Sequence, residues 1–267
     1  GERMASSEHR TTARILDILE TIASVQDGVS LSDLSRSLSI PKSSLHPLLC
    51  TLAERRYLHY LQREERYYLG ESVFVLGNKY VNNHDVLEQI KDVLQQVNQK
   101  TGETLYFGVL SKRDVLYLAK ADLHSQFRVV SNPGNKLPAY STGYGKALLS
   151  QFLPEQIREL YPEGDLKPLT PQTVRNVEQL NTQLDGIRAT GFAYEKGEST
   201  TGIQCVAVAI EVEGQVLAGM SIAVPEFRYT KEREEQFKTL LDHARSQIQR
   251  IIAGNKSQWI YSGEYNR

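Results

Sequence analysis

Cysteine is scarce in this chain of 267 residues, which has only Cys50 and Cys205. They stand far apart, which excludes a disulfide framework and any close-spaced cysteine cluster for zinc. A reducing, cytoplasmic setting is expected. Long apolar runs are missing too: none approaches the ~20 residues that cross a bilayer, so no membrane partner is expected. The six histidines are scattered, and no pair has metal-ligand spacing. No metal and no cofactor is therefore expected. Neither a G-x-S-x-G elbow nor an H-E-x-x-H pair occurs, so no catalytic set emerges. An excess of charge is also absent. The formal net charge is −1, and residues 1–80 hold ten Lys/Arg against ten Asp/Glu. That balance counts against a strongly basic, non-specific nucleic-acid binder. It leaves open a groove reader whose few cations share one face.

What is present is organised around Ser30 to Tyr60. Leu31, Leu34 and Leu38 fall on one face of a short helix. Ser30 stands at its start as an N-cap, with Asp33 in the first turn facing the positive end of the helix dipole. Pro41 suits the entrance of a second helix, in which Leu45, Leu48, Leu49 and Leu52 recur at helical spacing. Two short amphipathic helices joined by a tight turn form a helix-turn-helix. Lys42, Ser43, Ser44 and His46 lie near the start of the second helix, free to face a groove. Leucines in this pattern also build helical hairpins that never touch nucleic acid, so the residues beyond the second helix weigh in the choice. Tyr57–Tyr60 and Arg66–Leu69 read as strands around the polar turn Gln62–Glu65. Helix, helix and β-ribbon make a winged helix-turn-helix, with Arg55, Arg56, Arg63 and Arg66 as candidates for phosphate contact. Pro47 is a local conflict, because a proline there lacks an N–H and crowds the preceding turn. A kink or a late helix start is expected.

Around this core the chain reads in order. Arg3 and Arg10 could form an N-terminal arm near DNA, with a solvated tail as the plainer account. Ile15, Ile18, Leu19 and Ile22 form a supporting helix. The spacing divides the chain into a winged helix-turn-helix over 1–70, a linker helix over 71–83, a second domain over 84–254 and a tail over 255–267. The second domain opens with a helix from about His84 to Gln99. Strands are expected at Thr104–Leu110, Val115–Ala121 and Phe127–Val130, then helices at Ala147–Phe152, Pro154–Tyr161 and Thr173–Ala189. Strand character returns at Phe192–Tyr194, and Ile203–Val212 and Gln215–Val224 form a hairpin. Thr230 opens a long final helix. Strands and helices intermixed with a late hairpin give an α+β sensor-like domain rather than a βαβ array.

Two stretches of that domain could carry chemistry. Leu137-Pro-Ala-Tyr-Ser-Thr-Gly-Tyr-Gly-Lys-Ala-Leu-Leu149 sets small and polar residues before a helix, whose first amides would suit a carboxylate. A phosphate-loop reading fails, because Tyr140 and Ala147 stand where Gly and Ser/Thr are needed. An ordinary Gly-rich turn into a helix is the plainer account. Glu195 to Cys205 is a polar loop leading into an apolar strand, and Glu195, Glu198 and Cys205 could line one cavity. Ser221 on the next strand is a similar candidate. A solvated loop and a core cysteine are the alternatives.

In these segments the chain resembles the IclR family of bacterial transcription regulators over nearly its whole length. Leu31-Ser-Asp-Leu, Ile40-Pro-Lys-Ser-Ser-Leu-His46, Leu49 and Leu52 look like the family's helix-turn-helix. Leu137 to Leu149 looks like its effector loop. Gly191-Phe-Ala, Glu198 and Gly202-Ile-Gln-Cys-Val-Ala207 look like its second ligand-domain motif. The resemblance implies a C-terminal GAF-like effector domain, a dimer formed through the DNA-binding domains, and often a dimer of dimers. It implies a small carboxylate effector near the amides of Thr142, Gly143 and Tyr144, with Glu195, Cys205 and Ser221 completing the site. The chain departs from the family pattern in four places. Glu195 stands where Asp is usual, Ala223 where a Ser is common, Tyr144 where a smaller aliphatic residue is common, and Pro47 where an Arg is common. The expected function is a regulator of double-stranded operator DNA, a repressor in the first instance and an activator as the alternative, controlled by a sugar acid, 2-oxo acid or aromatic acid. An enzyme of small acids using Cys205, and a protein-binding winged helix, are the rivals from other classes.

Overall fold

The computed structural model describes residues 9–82, 85–122, 132–256 and 259. The expected strand at Phe127–Val130 and the expected arm residue Arg3 lie outside them. The chain divides into two compact units, Gly1–Asn83 and His84–Arg267.

In the first unit, α1 (Arg10–Ala23) precedes β1 (Val29–Ser30), α2 (Leu31–Leu38) and α3 (Lys42–Glu54). Then come β2 (Leu58–Leu61), β3 (Arg66–Leu69) and α4 (Glu71–Asn82). Ser30 caps α2: its hydroxyl accepts from the Asp33 amide at 3.1 Å and donates to Asp33 Oδ2 at 2.7 Å. Ser39 takes a left-handed φ of 53°. The Ile40 amide then bonds back to the Ser35 carbonyl at 3.2 Å, and the chain swings into α3. Ile18, Ile22, Leu34, Leu45, Leu49 and Leu58 close the core under a three-stranded sheet of order β1-β3-β2. Each such side chain contributes about 1.5–3 kcal/mol by leaving water. Pro47 neither breaks nor delays α3, which runs unbroken from Lys42 to Glu54. Its missing N–H forfeits one bond to the Ser43 carbonyl, and both residues are exposed, where water can take the bond's place.

The second unit begins with α5 (Asp85–Thr101) and the strands β4 (Thr104–Ser111), β5 (Asp114–Ala121) and β6 (Lys136–Pro138). Helices α6 (Gly143–Leu149), α7 (Pro154–Leu160) and α8 (Val177–Thr190) come next. The chain closes with β7 (Ala193–Lys196), β8 (Ile203–Val212), β9 (Gln215–Pro225) and α9 (Lys231–Gly254). The strands form one sheet of order β6-β5-β4-β9-β8-β7, antiparallel throughout, so the domain is α+β. Helices α5 and α9 pack against each other and against the sheet, while α6 and α8 belong to a separate core with Tyr106, Cys205, Ala207 and Ala223. Buried Glu103 ties the end of α5 to the start of α9 by ion pairs with Arg228 and Arg233 at 2.6 and 2.9 Å.

Beyond shifts of a residue or two at element ends, the structure departs from the sequence reading at two helix starts, one strand and one tail residue. Helix α6 starts at Gly143, four residues before Ala147. Helix α8 starts at Val177 rather than Thr173, because the Thr173 hydroxyl accepts from the Leu169 and Thr170 amides and Asn176 provides the cap. The three-residue β6 was not anticipated. Trp259 does not belong to a free tail: it is buried and meets the Phe107 ring edge to face at 6.2 Å. Among the described residues, no helix is long and apolar enough to cross a membrane.

Candidate functional site

The first candidate surface is the start of α3. Lys42, Ser43, Ser44 and His46 are all exposed there. Pro41 offers no side-chain cap, and the Ser44 and Leu45 amides bond to the Pro41 carbonyl at 2.9 and 3.1 Å. The Lys42 and Ser43 amides precede the first intrahelical bond, beside an exposed lysine, an anion-friendly arrangement. The four arginines divide. Arg55 is exposed at the end of α3. Arg56 pairs with Glu71 at 2.7 Å, and Arg63 pairs with Glu64 at 3.2 Å on the wing; both are surface pairs that a phosphate could displace. Arg66 serves the fold, donating to the Gly28 carbonyl at 2.8 Å. Cys50, not nominated from sequence, shares the exposed face, with its Sγ 3.6 Å from His46 Nδ1. The i, i+4 spacing of these two residues was the available signal.

The second surface is a cavity inside the sensor-like unit. Its floor is a patch of small residues on the sheet. The register sets Cys205 beside Ala223 and Glu195, Ala207 and Tyr106 beside Ser221, and Gly108 beside Gly219. Helix α6 settles into this hollow through Gly143, where an added Cβ would stand 3.1 Å from that of Cys205 and 3.3 Å from that of Ala207. Thr142 caps the helix, accepting the Gly145 amide at 3.2 Å. The Gly143 and Tyr144 amides are left without an acceptor inside the helix. Thr142, Gly143, Tyr144, Glu195, Cys205 and Ser221 come from three distant segments, and all line this one cavity. Its free volume is about 20 Å³, room for about one water. Tyr106, Tyr117 and Thr200 also line it; the alternation of β4 and β5 was the signal that could have found the two tyrosines.

Glu198 is not on this cavity. It turns away and pairs with Lys146, whose Nζ lies 2.6 Å from Glu198 Oε1 and 2.8 Å from Gln183 Oε1. Lys146 has no exposed surface. Glu198 instead lines an outer groove of about 550 Å³ with Gln183, Ile187, Phe192 and Tyr194. Sequence reading took Lys146 only as part of a failed phosphate loop and missed its role as a buried cation. Among the described residues, no group of three or more His, Cys, Asp or Glu could hold a metal ion.

Glu195 is fully buried. Its Oε1 accepts from the Glu198 and Ser199 amides, while its Oε2 has no hydrogen-bond partner. Burial pushes the carboxyl above its ordinary range, against those amide bonds. Burial likewise pushes up the Cys205 thiol and the Tyr144 phenol. Burial and the neighbouring Glu195 carboxyl both push this thiol up, which leaves Cys205 without the thiolate a nucleophile needs. Because the folded state holds the Glu195 proton more tightly than the unfolded chain, this group favours folding at low pH. That contribution is lost as pH rises through its folded value. Glu195→Gln keeps an acceptor for the amides, so it is expected to flatten this dependence and raise stability on the alkaline side. Urea midpoints at about pH 5 and about pH 8 would show this; equal losses for wild type and variant would contradict it.

Two family models match the chain. Bacterial transcriptional regulator IclR C-terminal covers residues 78–250, and IclR helix-turn-helix domain covers residues 11–62. The HTH-type transcriptional regulator BhcR of Paracoccus denitrificans is 31% identical over 84% of this chain and 80% of its own length. The transcriptional repressor IclR of Escherichia coli is 25% identical over 94% of this chain and 92% of its own. The crystal structure of an IclR homolog from Microbacterium hydrocarbonoxydans complexed with 4-hydroxybenzoate superimposes with a TM-score of 0.77. It is 22% identical and covers 91% of this chain and 99% of that one, a likeness of fold.

Proposed function

Since the chain belongs to the IclR family of bacterial transcriptional regulators, a family of DNA-binding proteins and not of enzymes, we propose that it is a repressor whose operator affinity a small carboxylate effector controls. The observation that carries the effector half is the convergence of three separated segments on one buried cavity. Two free helix amides there could receive the acid group, while Ser221 and the Glu195 carboxyl stand by for its polar substituents. The repressor reading draws support from the Escherichia coli relative, named as a repressor. An acid as ligand draws support from the 4-hydroxybenzoate bound by the Microbacterium homologue. Control is linkage: an effector that binds one arrangement of the protein better shifts the population, and operator affinity moves with it.

On the DNA side, Lys42, Ser43, Ser44 and His46 read the groove, with Arg55, Arg56 and Arg63 on phosphates. Arg66 is left to the fold. The operator-bound form is a homodimer through the DNA-binding units, with a dimer of dimers as the larger assembly. The exposed row Phe74, Val75 and Leu76 on α4 supports such self-association. A cytoplasmic protein is the corresponding setting.

Lys42→Ala is expected to weaken binding to all duplexes alike and to lower the salt slope of the association constant by about one unit. Fluorescence anisotropy over a salt series would read it, and an unchanged slope would remove Lys42 from the interface. The effector reading is tested by thermal shift against sugar, 2-oxo and aromatic acids. An acid at about 100 times its dissociation constant should stabilise the fold by about 2.7 kcal/mol. Binding of such an acid without any change in operator affinity would sink the proposal.

A further inference from the structure

Strands β4 and β9 bring two glycines side by side, Gly108 and Gly219. A methyl group at Gly219 would stand 3.1 Å from Cβ of Tyr144 and 3.2 Å from its Cδ2. One at Gly108 would stand 2.9 Å from the Tyr144 hydroxyl. The ring therefore lies along a bare strip of sheet, its root above Gly219 and its hydroxyl above Gly108. Beside it the Tyr117 ring packs edge to face at 5.4 Å, and Tyr106 packs on Tyr117 in the same way at 5.2 Å. Tyr144 is 1% exposed. Its hydroxyl approaches the Tyr117 phenol without completing a well-formed hydrogen bond. The side chain is thus held by shape, with its polar end unsatisfied, in the cavity where six candidate ligand contacts converge.

We infer that Tyr144 is the resident occupant of this pocket, and that it restricts the effector to aliphatic oxo or hydroxy acids of a few carbons by holding the volume an aromatic acid would need. This inference rests on the acid-effector reading above. With the ring in place, the remaining space takes about one water. A short acid needs the ring only to shift within the pocket. An aromatic acid needs the place of the ring itself, and expelling the ring forfeits its contacts with Gly108, Gly219 and Tyr117 while exposing a phenol to water. Larger sugar acids meet the same obstacle. The glycine pair makes the arrangement specific: a bare strip two strands wide is what lets a tyrosine lie flat where a smaller side chain would leave a cavity.

The test uses the full chain, with pyruvate, lactate, 4-hydroxybenzoate and p-cresol as probes in titration calorimetry and thermal shift. p-Cresol is the tyrosine side chain cut free, and it carries no carboxylate. The wild-type chain is expected to bind pyruvate or lactate at least tenfold more tightly than 4-hydroxybenzoate, and to ignore p-cresol. Tyr144→Ala is expected to bind p-cresol and 4-hydroxybenzoate at least tenfold more tightly than wild type, and to gain thermal stability from p-cresol. The wild-type comparison needs no variant, so it decides the matter even if Tyr144→Ala does not fold. Wild-type binding of 4-hydroxybenzoate as tight as that of pyruvate would overturn the inference. So would a folded Tyr144→Ala with no affinity for p-cresol. Capture of p-cresol by the variant, with no acid bound by either chain, would uphold Tyr144 as occupant and overturn the acid-effector reading instead.

Discussion

Lys146→Met should destabilise the sensor unit by about 3–5 kcal/mol, the range for removing one partner of a buried ion pair. The lysine has no exposed surface, and its partner Glu198 is itself buried. Its ammonium bonds Glu198 directly and the Gln183 amide oxygen beside it. Methionine keeps an unbranched apolar stem one atom shorter than lysine's and carries no charge, so most of the packing survives and the main loss is electrostatic. Glu198 would then be a buried carboxylate with neither oxygen on a cation. Adding Glu198→Gln should recover a large part of the loss, since it removes the uncompensated charge. The single tryptophan, Trp259, is buried in the same unit against Phe107, so its fluorescence in urea tracks that unit's unfolding. A loss under about 1 kcal/mol, the scale of an exposed pair, would show that water reaches the pair.

Gly145→Ala should cost about 3 kcal/mol, the upper end for an added methyl in a packed site, and should abolish ligand response. A Cβ there would stand 2.3 Å from the Ala139 carbonyl oxygen and 2.3 Å from the Thr142 hydroxyl. The first is backbone and cannot swing aside. The second is the cap of α6, so the turn that presents the Gly143 and Tyr144 amides must deform. Gly186, inside α8, is the internal control. Nothing lies within 4 Å of an added Cβ there, so Gly186→Ala should gain about 0.5–1 kcal/mol from helix propensity. If both substitutions changed the urea midpoint alike, the close approach at Gly145 would not be the cause.

Local chemistry was legible in the sequence wherever neighbours along the chain decide the outcome. Ser30 caps α2 and Thr230 caps α9 as their positions suggested, and the leucines of α2 and α3 point inward at the expected spacing. The start of α6 was not legible. Gly-Tyr-Gly-Lys is a poor helix former by propensity, and it is helical because a hollow of Cys205 and Ala207, sixty residues further on, accepts a backbone without side chains. Lys146 and Glu198 were each visible, yet nothing in one dimension said that they meet. Tyr144 stands out in the sequence as a tyrosine where the family commonly has a smaller aliphatic residue. That it lies on a glycine pair depends on strand register, which no spacing within β4 or β9 reveals.

The sheet of the second unit also sets an order of events during synthesis. Its central pairing joins β4 to β9, with Thr104 opposite Ala223, whereas the core of the first unit is complete with Tyr67. At 5–20 residues per second, a chain whose winged helix is finished waits roughly ten to thirty seconds for the last strand of the sensor. In that interval the nascent molecule can hold a finished first core while the sheet of the second unit still lacks its centre, so the two halves of one chain differ in age by about 150 residues of synthesis.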